Sequence, residues 1–228
     1  MIHFAHVGKR YSTGVVALED VTVRIEPGEF VFLVGPTGSG KSTFLKLIQR
    51  TECPTAGRVI VDGIDVGALR PHQVPHLRRR LGVVFQDFKL LPDRSAAENV
   101  AFALRVTGVD PVEIGPRVQW ALETVGLAER ASDLPARLSG GEQQRVGIAR
   151  AIVTRPRVVL ADEPTGNLDP EAAWEIMHLL SSINLRGTTM VVTTHNPTLV
   201  DILRRRVIEL CAGRVVRDEF RGLYQTAR

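Results

Sequence analysis

Apolar and polar residues alternate through "IHFAHV" near the start and again through "ALEDVTVRIEPGEFVFLVG", which ends in the unbroken apolar run "FVFLV". Alternation with a period of two predicts half-buried strands, and a continuous run predicts a strand covered on both faces. The run leads straight into glycines and then into a helical segment from Lys41 to about Arg50. "GRVIVDGIDV" places Asp62-Gly63 between two apolar stretches and predicts a hairpin or tight turn, and "LGVVFQD" reads as a further strand. From about Asp87 to Arg155 the spacing becomes helical, with segments near 95–107, 111–125 and 142–154 broken by "TGVDP" and "SDLPARLSGG". "RVVLADEP" then returns to a buried strand. A helix over 170–184, the strand "TTMVVTTH", a helix over 197–205 and the strands "RVIEL" and "GRVVRDE", joined at Ala212-Gly213, complete the chain. Strand and helix alternate outside the helical stretch, so the expected fold is α/β with a mostly parallel sheet. Residues 1–86 and 156–228 form its core and 87–155 an inserted helical subdomain.

Composition changes this picture little. The 228 residues are 44% hydrophobic, enough for one large domain or one domain with an insert. The net charge of +4 is too mild to argue for a nucleic-acid surface, although "HLRRR" (76–80) and "LRRR" (203–206) concentrate it, and clusters this short read as solvated faces. Cys53 and Cys211 fit no metal or redox spacing, so they are expected to pack as small apolar residues in a reducing compartment. No apolar run approaches the ~18–20 residues that span a bilayer, and "MIHFAHVGKRY" lacks the apolar stretch of a signal peptide. A soluble, cytoplasmic chain is expected.

The glycines after "FVFLV" carry the first clear chemistry. "GPTGSGKS" (Gly35, Pro36, Thr37, Gly38, Ser39, Gly40, Lys41, Ser42) fits the pattern G-x-x-x-x-G-K-[ST] between a buried strand and a helix. Glycines let successive backbone N–H groups turn toward one anion, and the helix N-terminus adds partial positive charge. Lys41 neutralises β- and γ-phosphate oxygens, and the Ser42 hydroxyl can ligate Mg²⁺. Thr43 follows in the helix. "VVLADEP" delivers Asp162 to a strand end, where it can hold Mg²⁺, and Glu163 beside it can orient or deprotonate water. Gln86 is expected to end the strand "GVVFQ", where its amide can ligate Mg²⁺ or position water. His195 is expected to close "MVVTTH", within reach of a γ-phosphate.

"LSGGEQQRVGIARA" (138–151) opens a second helix with Ser139, Gly140 and Gly141 but no lysine. Ser139 with Glu142 forms a capping box, which accounts for the serine and the glutamate. It leaves unexplained two glycines in the first turn, each costing up to about 1 kcal/mol against alanine. Their expected use is close approach of something to the backbone.

In this order "GPTGSGKS", Gln86, "LSGGEQQ", "VVLADE", "GNLD" and His195 resemble the ATP-binding-cassette (ABC) ATPases, over essentially the whole chain. The resemblance implies a RecA-like P-loop core with an antiparallel β subdomain and an inserted helical subdomain, and ATP hydrolysis with Mg²⁺ in a head-to-tail homodimer. Ser139, Gly140, Gly141 and Glu142 then form a signature loop acting in trans on the γ-phosphate held in the partner subunit's cradle, and the partner brings the absent lysine. It also implies that Asp169 in "GNLD" carries contact between the two sites and that Tyr11 stacks on adenine. The chain departs from the family at Asn196, where an acid commonly follows the histidine.

"GEFVFLVGPTGSGKSTFLKLI", "GVVFQDFKLLPDRSAAENVAFAL" and "GRVVRDEFRGLY" narrow the resemblance to the bacterial cell-division branch of the family. That branch implies an integral membrane partner of the FtsX type, control of septal cell-wall hydrolysis and a location on the inner face of the membrane at the septum. Phe88, Leu90 and Leu91 would form an exposed docking surface, with subdomain core as their alternative role. The ATPase of a lipoprotein-releasing or macrolide-type exporter stays open as a second reading, and a nucleic-acid-associated cassette ATPase as a third. Direct nucleic-acid contact is not expected.

Overall fold

The computed structural model describes residues 1–224, so positions 225–228 at the end of the expected core segment lie outside the described residues. Two sheets form. Strands β1 (Ile2–Arg10), β2 (Val16–Ile25), β4 (Ala56–Val61) and β5 (Ile64–Asp65) make an antiparallel sheet in the order β2-β1-β4-β5, with β4 and β5 joined at Asp62-Gly63. The second sheet contains β3 (Phe30–Val34), β6 (Leu81–Val84), β7 (Val158–Asp162), β8 (Thr189–Thr193), β9 (Arg206–Cys211) and β10 (Arg214–Glu219). Its order is β10-β9-β3-β8-β7-β6, parallel except for the edge strand β10.

The continuous apolar runs are explained by their two faces. Phe30, Phe32, Val159, Ala161, Met190 and Val192 join one cluster, while Val31, Leu33, Val158, Leu160, Val191 and Ile208 join another. Alternate residues thus serve opposite sides of one sheet, as expected of a parallel sheet covered on both faces. The first side carries α3 (Ala96–Thr107), α4 (Pro111–Thr124), α5 (Gly140–Ile152) and α6 (Pro170–Asn184). The second carries α1 (Lys41–Ile48) and the antiparallel sheet, where Phe4 stacks on Phe44 with ring centroids 4.0 Å apart. The side chains of the 87–155 stretch therefore share one apolar cluster with the sheet: Leu104, Val118 and Leu122 join Phe32 and Val159.

Polar residues start the helices where the sequence places them. Ser95, Asp110, Ser139, Asp169 and Asn196 each cap a helix by accepting from a backbone N–H, and Pro111, Pro170 and Pro197 occupy first helical positions. A short helix, α2 (Val74–Arg78), was not evident from periodicity because five residues are too few to show one. Helix α7 (Pro197–Leu203) ends two residues before the expected boundary, at Arg204 in a left-handed conformation.

Several expectations change. The strands carrying Gln86 and His195 stop at Val84 and Thr193, so both residues lie two positions beyond a strand, in loops. The basic clusters are partly engaged. Arg78 caps the end of α1 through the Gln49 and Arg50 carbonyls, Arg80 pairs with Asp62 at 2.9 Å, and the buried Arg206 bridges Glu29 and Asp218. Cys53 is exposed rather than packed. Phe88, Leu90 and Leu91 are half-buried, not exposed, and Leu90 packs on the core.

Leu160 is fully buried in the middle of β7. Leu160→Ala is expected to lower the unfolding free energy by about 2–5 kcal/mol in denaturant titrations. Leu185→Ala, at a position 78% exposed, should change it by less than about 0.5 kcal/mol. Equal effects would contradict this placement of the core.

Candidate functional site

The first phosphate-loop candidate lies between β3 and α1 and is held from two sides. Gly35, Gly38 and Gly40 all have positive φ. A Cβ on Gly35 would fall 2.1 Å from the Leu210 carbonyl oxygen, and one on Gly40 would fall 2.5 Å from that of Ala17. Only glycine allows this conformation and this approach. The loop is tied to the β9–β10 turn by the Gly213 N–H, which donates to the Ser39 carbonyl at 3.1 Å. The N–H groups of Gly38, Gly40, Lys41 and Ser42 have no hydrogen-bond partner among the described residues, and a Cβ on Gly38 would meet nothing within 4 Å. These are free donors at a helix start with open space above them, an anion-binding concavity.

Lys41 is buried inside this loop, its Nζ donating to the carbonyls of Gly35 and Pro36 at 2.8 and 3.0 Å. Burial pulls its pKa below the ordinary lysine value, while the nearby charges of Glu163 and Asp162 push it back up. Both carboxylates therefore act on the same ammonium. Tyr11, half-buried, shares a 3.2 Å hydrogen bond with the Thr43 hydroxyl, and Lys9 Nζ lies 4.9 Å from its ring centroid. The structure thus places Tyr11 beside the first turn of α1.

Asp162 and Glu163 are fixed by β8. In the parallel register Asp162 lies opposite Thr193, whose hydroxyl donates to Asp162 Oδ1 at 2.8 Å and accepts from the Glu163 N–H at 2.8 Å. Glu163 takes a left-handed backbone conformation, φ 47°, which turns its side chain toward His195: Oε1 and Nε2 are 2.8 Å apart. Sequence reasoning singled out Glu163 and His195 but missed Thr193, a threonine within an apolar strand that gives no separate signal.

Gln86 meets the segment that follows Glu163. Its Nε2 donates to Asn167 Oδ1 at 3.3 Å, and Asn167 Nδ2 donates to the Gln86 carbonyl at 3.1 Å. A Cβ on Gly166 would fall 2.7 Å from Gln86 Nε2, so the Gln86 side chain as placed lies directly against the glycine of "GNLD". The oxygen donors that could serve a divalent cation are the exposed Ser42 hydroxyl, the Asp162 carboxylate and the Gln86 amide. No group of three His, Cys, Asp or Glu suited to a metal occurs among the described residues. This sparse, hard-oxygen set fits an ion such as Mg²⁺ whose remaining ligands are phosphate oxygens and water.

The signature segment forms a separate place. Ser139 caps α5: its Oγ accepts from the Glu142 N–H, and Glu142 Oε2 accepts from the Ser139 N–H at 2.8 Å. That N–H holds the Glu142 carboxyl below its usual pKa, so this side chain is committed to the cap. Ser139, Gly140 and Gly141 line a cavity of about 260 Å³ together with Asn167, Asp169 and Glu175. None of residues 35–43 lines it. The glycines also serve packing, since a Cβ on Gly141 would lie 3.3 Å from Ala172 Cβ and one on Gly140 3.4 Å from Leu168 Cδ2. Asp169 caps α6 through the Ala172 N–H at 2.9 Å. Asn167 borders this cavity while bonded to Gln86, a link that the sequence pattern did not reveal.

Residues 18–166 match the family described as ABC transporter. The cell division ATP-binding protein FtsE of Bacillus subtilis is 53% identical over 224 residues, covering 98% of each chain. Those of Mycobacterium tuberculosis and Escherichia coli K12 are 55% and 47% identical, covering 98% and 93% of this chain and 98% and 96% of their own. Among solved structures, a dimer of the ATP-binding cassette MJ0796 in a post-hydrolysis state with ADP and Pi superposes with a TM-score of 0.86. It is 39% identical and covers 98% of this chain and 100% of its own. The cbiO1 subunit from Clostridium perfringens gives a TM-score of 0.90 at 30% identity, covering 96% of this chain and 88% of its own.

Thr193→Val keeps the volume of the buried side chain and removes both hydrogen bonds that fix Asp162 and Glu163. Turnover of ATP is expected to fall roughly ten- to a hundredfold with nucleotide affinity retained, read by phosphate release and by equilibrium binding. Undiminished turnover would show that Thr193 does not set the geometry.

Proposed function

The chain belongs to the ABC transporter family, and from that premise we infer that it is the ATP-hydrolysing subunit of a membrane ABC complex acting in cell division. The observation that carries the hydrolytic reading is the Glu163–His195 pair at 2.8 Å, set in the loops just beyond β7 and β8, with the Glu163 charge acting on Lys41 of the phosphate loop.

The free N–H groups of Gly38, Gly40, Lys41 and Ser42, with the Lys41 ammonium, bind the β- and γ-phosphates. The His195 Nε2–H donates to Glu163 Oε1 and fixes the carboxylate, leaving Oε2 to accept a proton from water. The water oxygen bonds to the γ-phosphorus as the bond to the bridging oxygen breaks, and ADP leaves. Mg²⁺, held by Ser42, Asp162 and Gln86, would neutralise charge on the phosphate oxygens. Tyr11 offers its ring to the adenine.

Ser139, Gly140 and Gly141 complete the site of a second copy, so two chains facing head to tail would enclose two nucleotides, with Asp169 at the contact between the sites. The separation of the signature cavity from residues 35–43 within one chain supports this, as does the dimeric MJ0796 cassette. Glu142 contributes through the cap rather than by touching nucleotide. Residues 87–155 act as the helical signature subdomain of one cassette domain.

No helix among the described residues is long and apolar enough to cross a membrane, so attachment to the inner membrane face at the septum would come through an FtsX-type partner. Phe102 and Val106, one turn apart on α3 and 48% and 63% exposed, offer an apolar contact for it. ATP-driven closure would then signal through that partner to septal wall hydrolysis.

Glu163→Gln is expected to slow hydrolysis by about 10²–10⁴-fold and to accumulate an ATP-bound dimer by light scattering. A monomer at saturating ATP would count against the sandwich. Ser139→Arg should abolish turnover while sparing nucleotide binding, and surviving hydrolysis would refute a role in trans. Phe102→Asp with Val106→Asp should release the protein from its FtsX-type partner and leave ATP binding intact; undiminished co-purification would move the docking surface elsewhere.

A further inference from the structure

The loop that carries Gln86 is gripped by α5, the helix that the signature serine begins. At one end the fully buried Gln144 donates from Nε2 to the Phe85 carbonyl at 3.2 Å and to the Pro164 carbonyl at 2.7 Å. At the other end the Arg150 guanidinium donates through Nη2 to the Phe88 carbonyl at 2.7 Å and through Nη1 to the Lys89 carbonyl at 2.5 Å. Phe88 and Lys89 are consecutive non-glycine residues with left-handed backbones, φ 57° and 51°. L-residues adopt this conformation at a cost in free energy, and a consecutive pair persists only where neighbouring groups hold it.

Arg150 is an unusual cation. It forms no ion pair with a carboxylate among the described residues, and burial lowers its pKa. A desolvated guanidinium of this kind needs acceptors, and here the planar fork finds two carbonyls side by side. Among the described residues the Gln86 side chain has one tether, the 3.3 Å bond to Asn167, so its placement depends on the backbone to either side.

We propose that Arg150 is a positioning residue for Gln86: by holding the Phe88 and Lys89 carbonyls it fixes the left-handed turn that sets where the Gln86 amide points. The signature helix of a chain thereby shapes that same chain's own hydrolytic site, in addition to any contact it makes with a second copy. This inference rests on the reading of Gln86 as a group that serves the metal or the attacking water.

The test is a double-mutant cycle on the full chain, with steady-state hydrolysis at saturating ATP as one readout and ATP affinity as the other. Gln86→Ala and Arg150→Met should each lower kcat by roughly ten- to a hundredfold without changing ATP affinity. The double variant should be no slower than Gln86→Ala alone, because Arg150 acts only through Gln86. Losses that multiply would overturn the inference and leave Arg150 a buttress of the fold. A wild-type rate for Gln86→Ala would instead refute the reading of Gln86, and the inference with it.

Should Arg150→Met fail to fold, Arg150→Lys replaces it, and Lys89→Gly provides the second variant. Glycine adopts φ near 51° without strain, so Lys89→Gly in the Arg150→Lys background should recover a measurable part of the lost kcat. No recovery in a protein whose thermal unfolding is unchanged would overturn the proposal.

Discussion

The pairing of β7 with β8 in a register that sets Asp162 opposite Thr193 is the constraint on which the hydrolytic site depends. It places one hydroxyl where it can donate to the Asp162 carboxylate and accept from the Glu163 N–H at once. The second bond matters because Glu163 is left-handed, a conformation costing an L-residue about 1–2 kcal/mol. A net hydrogen bond is worth about 1 kcal/mol, and a buried N–H left unpaired costs about 1–3 kcal/mol, so the Thr193 bond is of the right size to hold the turn. That turn is what brings the carboxylate to His195. A slip of one residue would reverse the faces of every side chain in β7 and dissolve both the core and the site.

A second constraint runs through the segment 166–169. Its glycine lets the Gln86 side chain pack against the backbone, its asparagine binds Gln86 on one side and borders the signature cavity on the other, and its aspartate caps α6. Few residues thus carry several jobs, and capping and function draw on the same atoms. The same is true of Ser139 and Glu142, whose reciprocal bonds form a capping box while leaving the first N–H groups of α5 available to an anion. The phosphate loop shows the opposite economy: Gly35 and Gly40 are required by close backbone neighbours at Leu210 and Ala17, and the loop's free N–H groups follow from that geometry.

Much of this was legible in the chain itself. Continuous apolar runs such as "FVFLV" announced strands buried on both faces, the start of α5 was marked by the Ser139–Glu142 capping box, and the phosphate loop was recognisable because its lysine and serine follow the last glycine at fixed spacing. Local chemistry determines these features: turn geometry, capping and periodicity act over a few residues, so they leave a mark in a short window. What only the tertiary structure decided lies between windows. The double role of Thr193, the reciprocal bond between Gln86 and Asn167, and the Arg150 grip on Phe88 and Lys89 join residues 30 to 81 positions apart or, for Arg150, 61 and 62 apart. Exposure was decided the same way, for Phe88 is half-buried although both its neighbours in sequence are charged, and Leu90 packs on the core. The sequence by itself determined which groups exist and which local elements present them. Their distances were set by strand register and helix packing, which depend on burying two faces of one sheet at once.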